Sequence, residues 1–162
     1  MNACEPGLQR FIKQTNNTEE PVEVSSLIGG ENYYSDFLWL AEGTLPKERI
    51  VRFACDVALI NIELIKPYTE QFDLIVGFLN NPDANTDAVV DAVDAAVDAA
   101  DADADATDVN AAYAAAYAAY AAACAAATDD TATDDAATAV ANTADAADSE
   151  EKVDQLLIEM FN

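Results

Sequence analysis

DANTDAVVDAVDAAVDAADADADATD, Asp83 to Asp108, decides the fold. Asp83, Asp87, Asp91, Asp94, Asp98, Asp101, Asp105 and Asp108 follow one another at intervals of 4, 4, 3, 4, 3, 4 and 3. Residues three and four apart share one face of an α-helix, so the eight carboxylates fall on a single stripe. Val89, Val93 and Val97, then Ala100 and Ala104, make a second stripe on another face. An unstructured acidic tail has no reason to keep such a phase. Alanine is the best helix former, so propensity and pattern agree.

The same logic extends towards the C-terminus. Tyr113, Tyr117, Tyr120 and Cys124 are spaced 4, 3 and 4. Thr131, Asp135, Thr138, Asn142, Asp145 and Ser149 continue in a 4, 3, 4, 3, 4 phase, and Val153, Leu156, Leu157 and Met160 close the chain. These patterns predict helices near 86–106, 110–127 and 133–160, with polar breaks at 107–110 and 128–130. Alanine faces allow close helix packing, with tyrosine filling the wider gaps.

Residues 1–82 read as shorter helices with larger apolar side chains. Leu8, Phe11 and Ile12 follow Pro6 and Gly7 as a helical face, and Val22 to Ile28 is a short element ended by Gly29-Gly30. Ser35 or Asp36 is positioned to cap a helix carrying Phe37, Leu38, Trp39 and Leu40. Pro46 suits the start of a longer helix that Pro67 stops. Its face is Ile50, Phe53, Ala54, Val57, Ile60 or Asn61, and Leu64. Phe72, Ile75, Val76 and Leu79 mark a further helix before Asn80-Asn81-Pro82 breaks the chain. The expected fold is all-α: an N-terminal helical region over 1–82 with an acidic, alanine-rich antiparallel helical array over 83–162 packed on it. β-Branched residues before position 80 leave room for one strand.

Charge is the strongest functional signal. The 162 residues carry 31 acids, 7 bases and no histidine, a net −24. Residues 1–66 hold 10 acids and 6 bases, whereas residues 67–162 hold 21 acids and only Lys152. Such a field repels nucleic acid and anionic membrane and attracts basic surfaces. A charge run is ordinarily a solvated face. Here, however, seven adjacent like pairs on one stripe would cost roughly 1.5–3.5 kcal/mol. That is large against a total stability of about 5–15 kcal/mol. Adaptation to high salt would acidify the whole surface, and the first half is near ordinary.

Imitation of a nucleic-acid backbone suits the stripe better. Residues 83–108 hold nine aspartates over about 38 Å of helix, one per about 4 Å, where duplex DNA carries one per about 1.7 Å. Two or three acidic helices side by side approach that density, and Asp129, Asp130, Asp134 and Asp135 add to it. The candidate interface is therefore Asp83, Asp87, Asp91, Asp94, Asp98, Asp101, Asp105, Asp108, Asp129, Asp130, Asp134 and Asp135.

Other chemistries find little support. Without histidine there is no Ser-His or Cys-His nucleophile system and no histidine metal ligand. Among so many acids no carboxylate pair stands out for glycoside hydrolysis, so no enzyme, cofactor or metal is expected. Asp101, Asp103 and Asp105 resemble the start of a calcium loop. The glycine and glutamate that loop requires are Ala106 and Ala112. The tyrosine stripe lacks the neighbouring cations of a base-stacking platform, and the threonines lack an antifreeze helix's regular spacing. Ala111 to Ala127 is uncharged but short of the roughly 20 residues of a membrane span. Three cysteines without a C-x-x-C suit a reducing compartment. No signal peptide is evident at the start, and a cytoplasmic location is expected, in a host cell if the gene is a phage's.

Several stretches carry a family likeness: Ala3-Cys4-Glu5-Pro6-Gly7-Leu8 with Phe11, Phe37-Leu38-Trp39-Leu40-Ala41, Arg52-Phe53-Ala54-Cys55-Asp56, and the Ala-Ala-Tyr-Ala steps at 111–121. In this the chain resembles the Imm5-like family of immunity proteins of bacteria and phages, over most of its length and in order. The resemblance implies binding to a toxin and brings no catalytic residues. Family members often carry arginine or histidine in the alanine-rich repeat, where this chain is neutral or acidic. That departure implies a helical scaffold recharged for a different partner. Two functions follow: a DNA mimic inhibiting a host nucleic-acid-binding or defence protein, in the manner of phage anti-restriction or anti-CRISPR factors, or an immunity protein that neutralises a basic toxin. A structural or assembly role is a third class.

Overall fold

The computed structural model describes residues 5–82, 86–102, 109–127, 140–141, 143–144 and 149–162. The fold is all-α, and no strand occurs among the described residues. Helix α1 (Glu5–Thr15) is followed by a 3-10 turn at Val24–Ser26, then α2 (Tyr34–Thr44) and α3 (Lys47–Leu59). A 3-10 segment, Ile62–Tyr68, leads to α4 (Phe72–Asn80). Next come α5 (Thr86–Ala102), α6 (Val109–Ala127) and α7 (Glu150–Phe161).

Helix α3 organises the molecule because it is buried on two sides. Val51, Ala54, Cys55 and Ala58 enter one core with Ile65, Ile75, Phe78, Leu79, Val89, Val93 and the alanines of α6. Ile50, Phe53 and Val57 enter a second core with Leu27, Phe37, Leu38, Val140, Val153, Leu157 and Met160. Each core draws on residues from both sides of position 82. Along α6, Ala112, Ala114 to Ala116, Ala118, Ala119, Ala121 to Ala123 and Ala125 are all buried. So small a side chain lets α3 and α5 pack closely against α6, and alanine loses no rotamer freedom when buried.

Several local expectations are corrected. The helix expected to run from Pro46 to Pro67 ends at Leu59, and Pro67 lies inside the 3-10 segment. Asn61 breaks the helix, with φ −121° and ψ 16°, and its side chain donates from Nδ2 to Ser149 Oγ at 3.4 Å. The capping residue of α2 is Tyr33, not Ser35 or Asp36. Asp36 instead reaches back from the first turn and accepts the Tyr33 N–H at 2.9 Å, one half of a capping box. A single helix over 133–160 does not form. Ser149 is non-helical and precedes a fresh helix whose first turn carries Glu150 and Glu151, where acids favour a helix N-terminus. Of the Leu8, Phe11 and Ile12 face on α1, Leu8 and Phe11 are exposed and Ile12 is half-buried.

Polar clamps hold α1 in place. Gln14 donates to the Leu27 carbonyl at 3.0 Å and accepts from the Glu31 N–H and from Asn32 Nδ2. Gly29 takes the left-handed φ of 73° that glycine tolerates best. At Gly30 a Cβ would collide with the Gln14 side-chain amide, so the clamp in this form requires a bare backbone there.

Candidate functional site: an acidic face on α5

Helix α5 is amphipathic with an uncommon division. Val89, Ala92, Val93, Ala96 and Ala100 are buried, while Asp87, Asp91, Asp94 and Asp98 are exposed. The two faces follow from one sequence phase: the valine and alanine positions point at α6 and the 3-10 segment, and the aspartates point away. From Asp87 to Asp98 the helix rises about 17 Å, so its four carboxylates stand about 5–6 Å apart along the axis.

No ion pair reaches these four among the described residues. The bases of the first half are engaged locally: Arg10 with Asp36, Lys13 with Glu31, Arg52 with Asp56 and Lys66 with Glu63. Lys47 Nζ donates to the Ala126 carbonyl at the end of α6, 3.5 Å away. No basic side chain among the described residues is thus paired with the α5 face.

Of the other expected interface residues, Asp101 lies in the last turn of α5, and its side chain lies outside the described residues. So do Asp83, Asp105, Asp108, Asp129, Asp130, Asp134 and Asp135, most of the candidate calcium loop, and the breaks expected at 128–130 and at most of 107–110. Among the described residues no cluster of three or more potential ligands fit to hold a metal occurs. No helix there is long and apolar enough to cross a membrane.

The tyrosine stripe divides in its roles. Tyr117 and Tyr120 are half-buried and pack against the first core, filling the space the alanines leave. Tyr113 is exposed, and its ring stacks on Tyr117 with centroids 6.3 Å apart and planes 13° apart. Cys124 continues the line, half-buried. Cys55 is fully buried beside the Arg52–Asp56 pair. Burial pushes its thiol up to about 11, which keeps it protonated and inert as a nucleophile near neutrality.

Sequence reasoning missed an apolar cavity of about 500 Å³ between α1 and α2, with Trp39 in its wall. Nothing in local periodicity signals it, because its walls come from two helices separated by a long loop. No protein-family model, no curated protein and no solved structure matches this chain.

Proposed function

We propose that the protein is a non-enzymatic acidic binding protein that occupies the nucleic-acid site of a basic partner by imitating the charge of a nucleic-acid backbone. One observation carries the reading: four exposed aspartates in regular phase on α5, unpaired among the described residues, backed by a face that is locked into the core. The buried face fixes helix register, so the carboxylates present a rigid pattern rather than a diffuse cloud. A rigid pattern costs less ordering on binding. The expected partner is a host nucleic-acid-binding or defence protein, as suits a phage counter-defence factor acting in the cytoplasm.

A second reading has support from Tyr113, an exposed aromatic braced by Tyr117. It is an immunity protein that neutralises a basic toxin by direct binding, in keeping with the family resemblance. Exposed aromatics of this kind are frequent interface hot spots. The two readings differ in where binding energy resides. A mimic depends on summed charge and weakens steeply with salt. An ordinary interface depends on one or two anchors.

The test begins with capture of a partner from cell extract on the immobilised full-length protein. Its binding is then compared for the Asp87→Asn, Asp91→Asn, Asp94→Asn and Asp98→Asn quadruple variant and for Tyr113→Ala, at two salt concentrations. Mimicry requires loss in the quadruple variant and mutual exclusion with DNA or RNA on the partner. If the quadruple variant binds as wild type while the partner keeps its nucleic acid in the complex, this face is not a mimic. Loss confined to Tyr113→Ala favours the immunity reading.

A further inference from the structure

Separate from the acidic face, the cavity between α1 and α2 has the features of a small-molecule site. Leu8, Phe11, Leu27, Phe37, Trp39 and Leu40 supply its apolar wall, and its volume is about 500 Å³. Ligand cavities commonly measure about 300–1,000 Å³ and combine apolar walls with few polar groups. The surface around it is unusual as well. Leu8 and Phe11 are among the most exposed large apolar side chains described, at 45% and 36%. Tyr33, at 64%, lies beneath the guanidinium of Arg10, another wall residue, 4.1 Å from ring centroid to Cζ. Exposed apolar side chains gathered in one place mark a binding surface.

The electrostatics select the occupant. The charged side chains in the wall are Arg10 and Asp36, and they satisfy each other. Arg10 Nε and Nη2 donate to the two Asp36 oxygens at 2.9 and 2.8 Å, and the Tyr33 N–H takes a further position on Asp36. Nearby Lys13 is paired with Glu31. Among the described residues an anionic ligand would meet no cation outside an ion pair, and it would enter against a net charge of −24. A cationic ligand would find the Asp36 carboxylate already engaged. The Ser35 hydroxyl, exposed at the wall, supplies a polar contact without charge.

We infer that this cavity binds an uncharged, mainly apolar small molecule, an aromatic or aliphatic body with at most a neutral polar end. The chain's single tryptophan, Trp39, lies in the wall and reports on occupancy. The probe is N-phenylnaphthylamine, an uncharged apolar fluorophore, titrated into the full-length protein. Expected are saturation at one probe per chain and sensitised probe emission when tryptophan is excited selectively. The related anion anilinonaphthalene sulfonate should bind at least about tenfold more weakly, for want of a cation to hold its charge. Leu8→Asp places a carboxylate at an exposed wall position and should weaken the neutral probe by at least about tenfold. Leu74→Asp, at a residue 36% exposed on α4, should leave binding unchanged. Non-saturating binding, absence of transfer from Trp39, equal or tighter binding of the sulfonate, or equal loss in both aspartate variants would each overturn the inference. Should Leu8→Asp fail to fold, wild-type stoichiometry and transfer from Trp39 decide the matter.

Discussion

Arg49 Nη1 donates to the backbone carbonyl of Met160 at 3.0 Å, so the first turn of α3 holds the last turn of α7. The final carbonyls of a helix lack intrahelical donors and carry partial negative charge. A guanidinium is well suited to them. Arg49→Ala should therefore cost about 1 kcal/mol, less than a buried charged bond because Arg49 is largely exposed. Amide exchange should accelerate over residues 157–162 before it changes in α3. Uniform acceleration throughout the chain would refute this local role.

The Gln14 clamp makes a sharper prediction. Gly30→Ala forces its methyl onto the Gln14 amide, breaking up to four hydrogen bonds. A destabilisation of about 0.5–1.5 kcal/mol is expected, because water can reach most of the polar groups that lose Gln14. In the Gln14→Ala background the same substitution should cost far less, since the obstacle is gone. Urea unfolding of the double-mutant cycle measures the coupling. Additive effects would show that Gly30 is needed for some other reason.

Alkaline pH should destabilise the fold through Cys55. Burial raises its thiol from 9.0 to about 11, with Arg52 opposing the rise and Asp56 adding to it. Above about pH 9 the unfolded chain gives up this proton while the folded chain keeps it. The unfolded state then binds fewer protons, so stability falls as pH rises and levels off above about 11. The full loss is on the order of 3 kcal/mol. Cys55→Ala should flatten the wild-type curve by that amount across this window, whatever its offset. Parallel curves would contradict a buried, protonated thiol.

Repulsion along α5 should be visible in salt. Raising NaCl from low to physiological concentration screens exposed charges. The three adjacent like pairs among Asp87, Asp91, Asp94 and Asp98 oppose helix formation by about 1 kcal/mol together. For a chain of this size that corresponds to roughly 2–4 °C in Tm. Asp98→Asn should stabilise, because a carboxylate towards the C-terminal end opposes the helix dipole. Asp87→Asn should be neutral or destabilising by a few tenths of a kcal/mol, because an acid in the first turn is favoured. A salt-independent Tm would mean that the repulsion is compensated.

Where one face of a helix is polar and the other apolar, the sequence was a good guide. Asp87 through Asp98 point outward and Val89 and Val93 inward, as the two stripes require. Helix α6 covers Val109–Ala127, within a residue of its expected start. The guide failed where packing decides. Leu8 and Phe11 have helical spacing, but spacing does not say whether a partner surface exists. Helix α3 is buried on two sides, which blurs its stripe, and just beyond its end at Leu59 the Asn61 side chain meets Ser149, a contact no local pattern announces. The cavity beside Trp39 is a product of tertiary geometry alone.

Helix α6 has a consequence for how this chain can change over time. Most of its buried alanines lie inside the first core against α3 and α5, and overpacking such positions commonly costs about 1–3 kcal/mol. Among the described side chains of that helix, drift is easiest at Tyr113, Tyr117, Tyr120, Cys124 and Ala126, which are not fully buried. The aspartates of α5 face no such packing restriction, because they are exposed and no side chain among the described residues pairs with them. Successive descendants can exchange those side chains singly, altering what the molecule attracts while inheriting the same interior. Variation among related chains should accordingly be nearly absent from the buried alanines, while positions 87, 91, 94 and 98 change only together with the partner they serve.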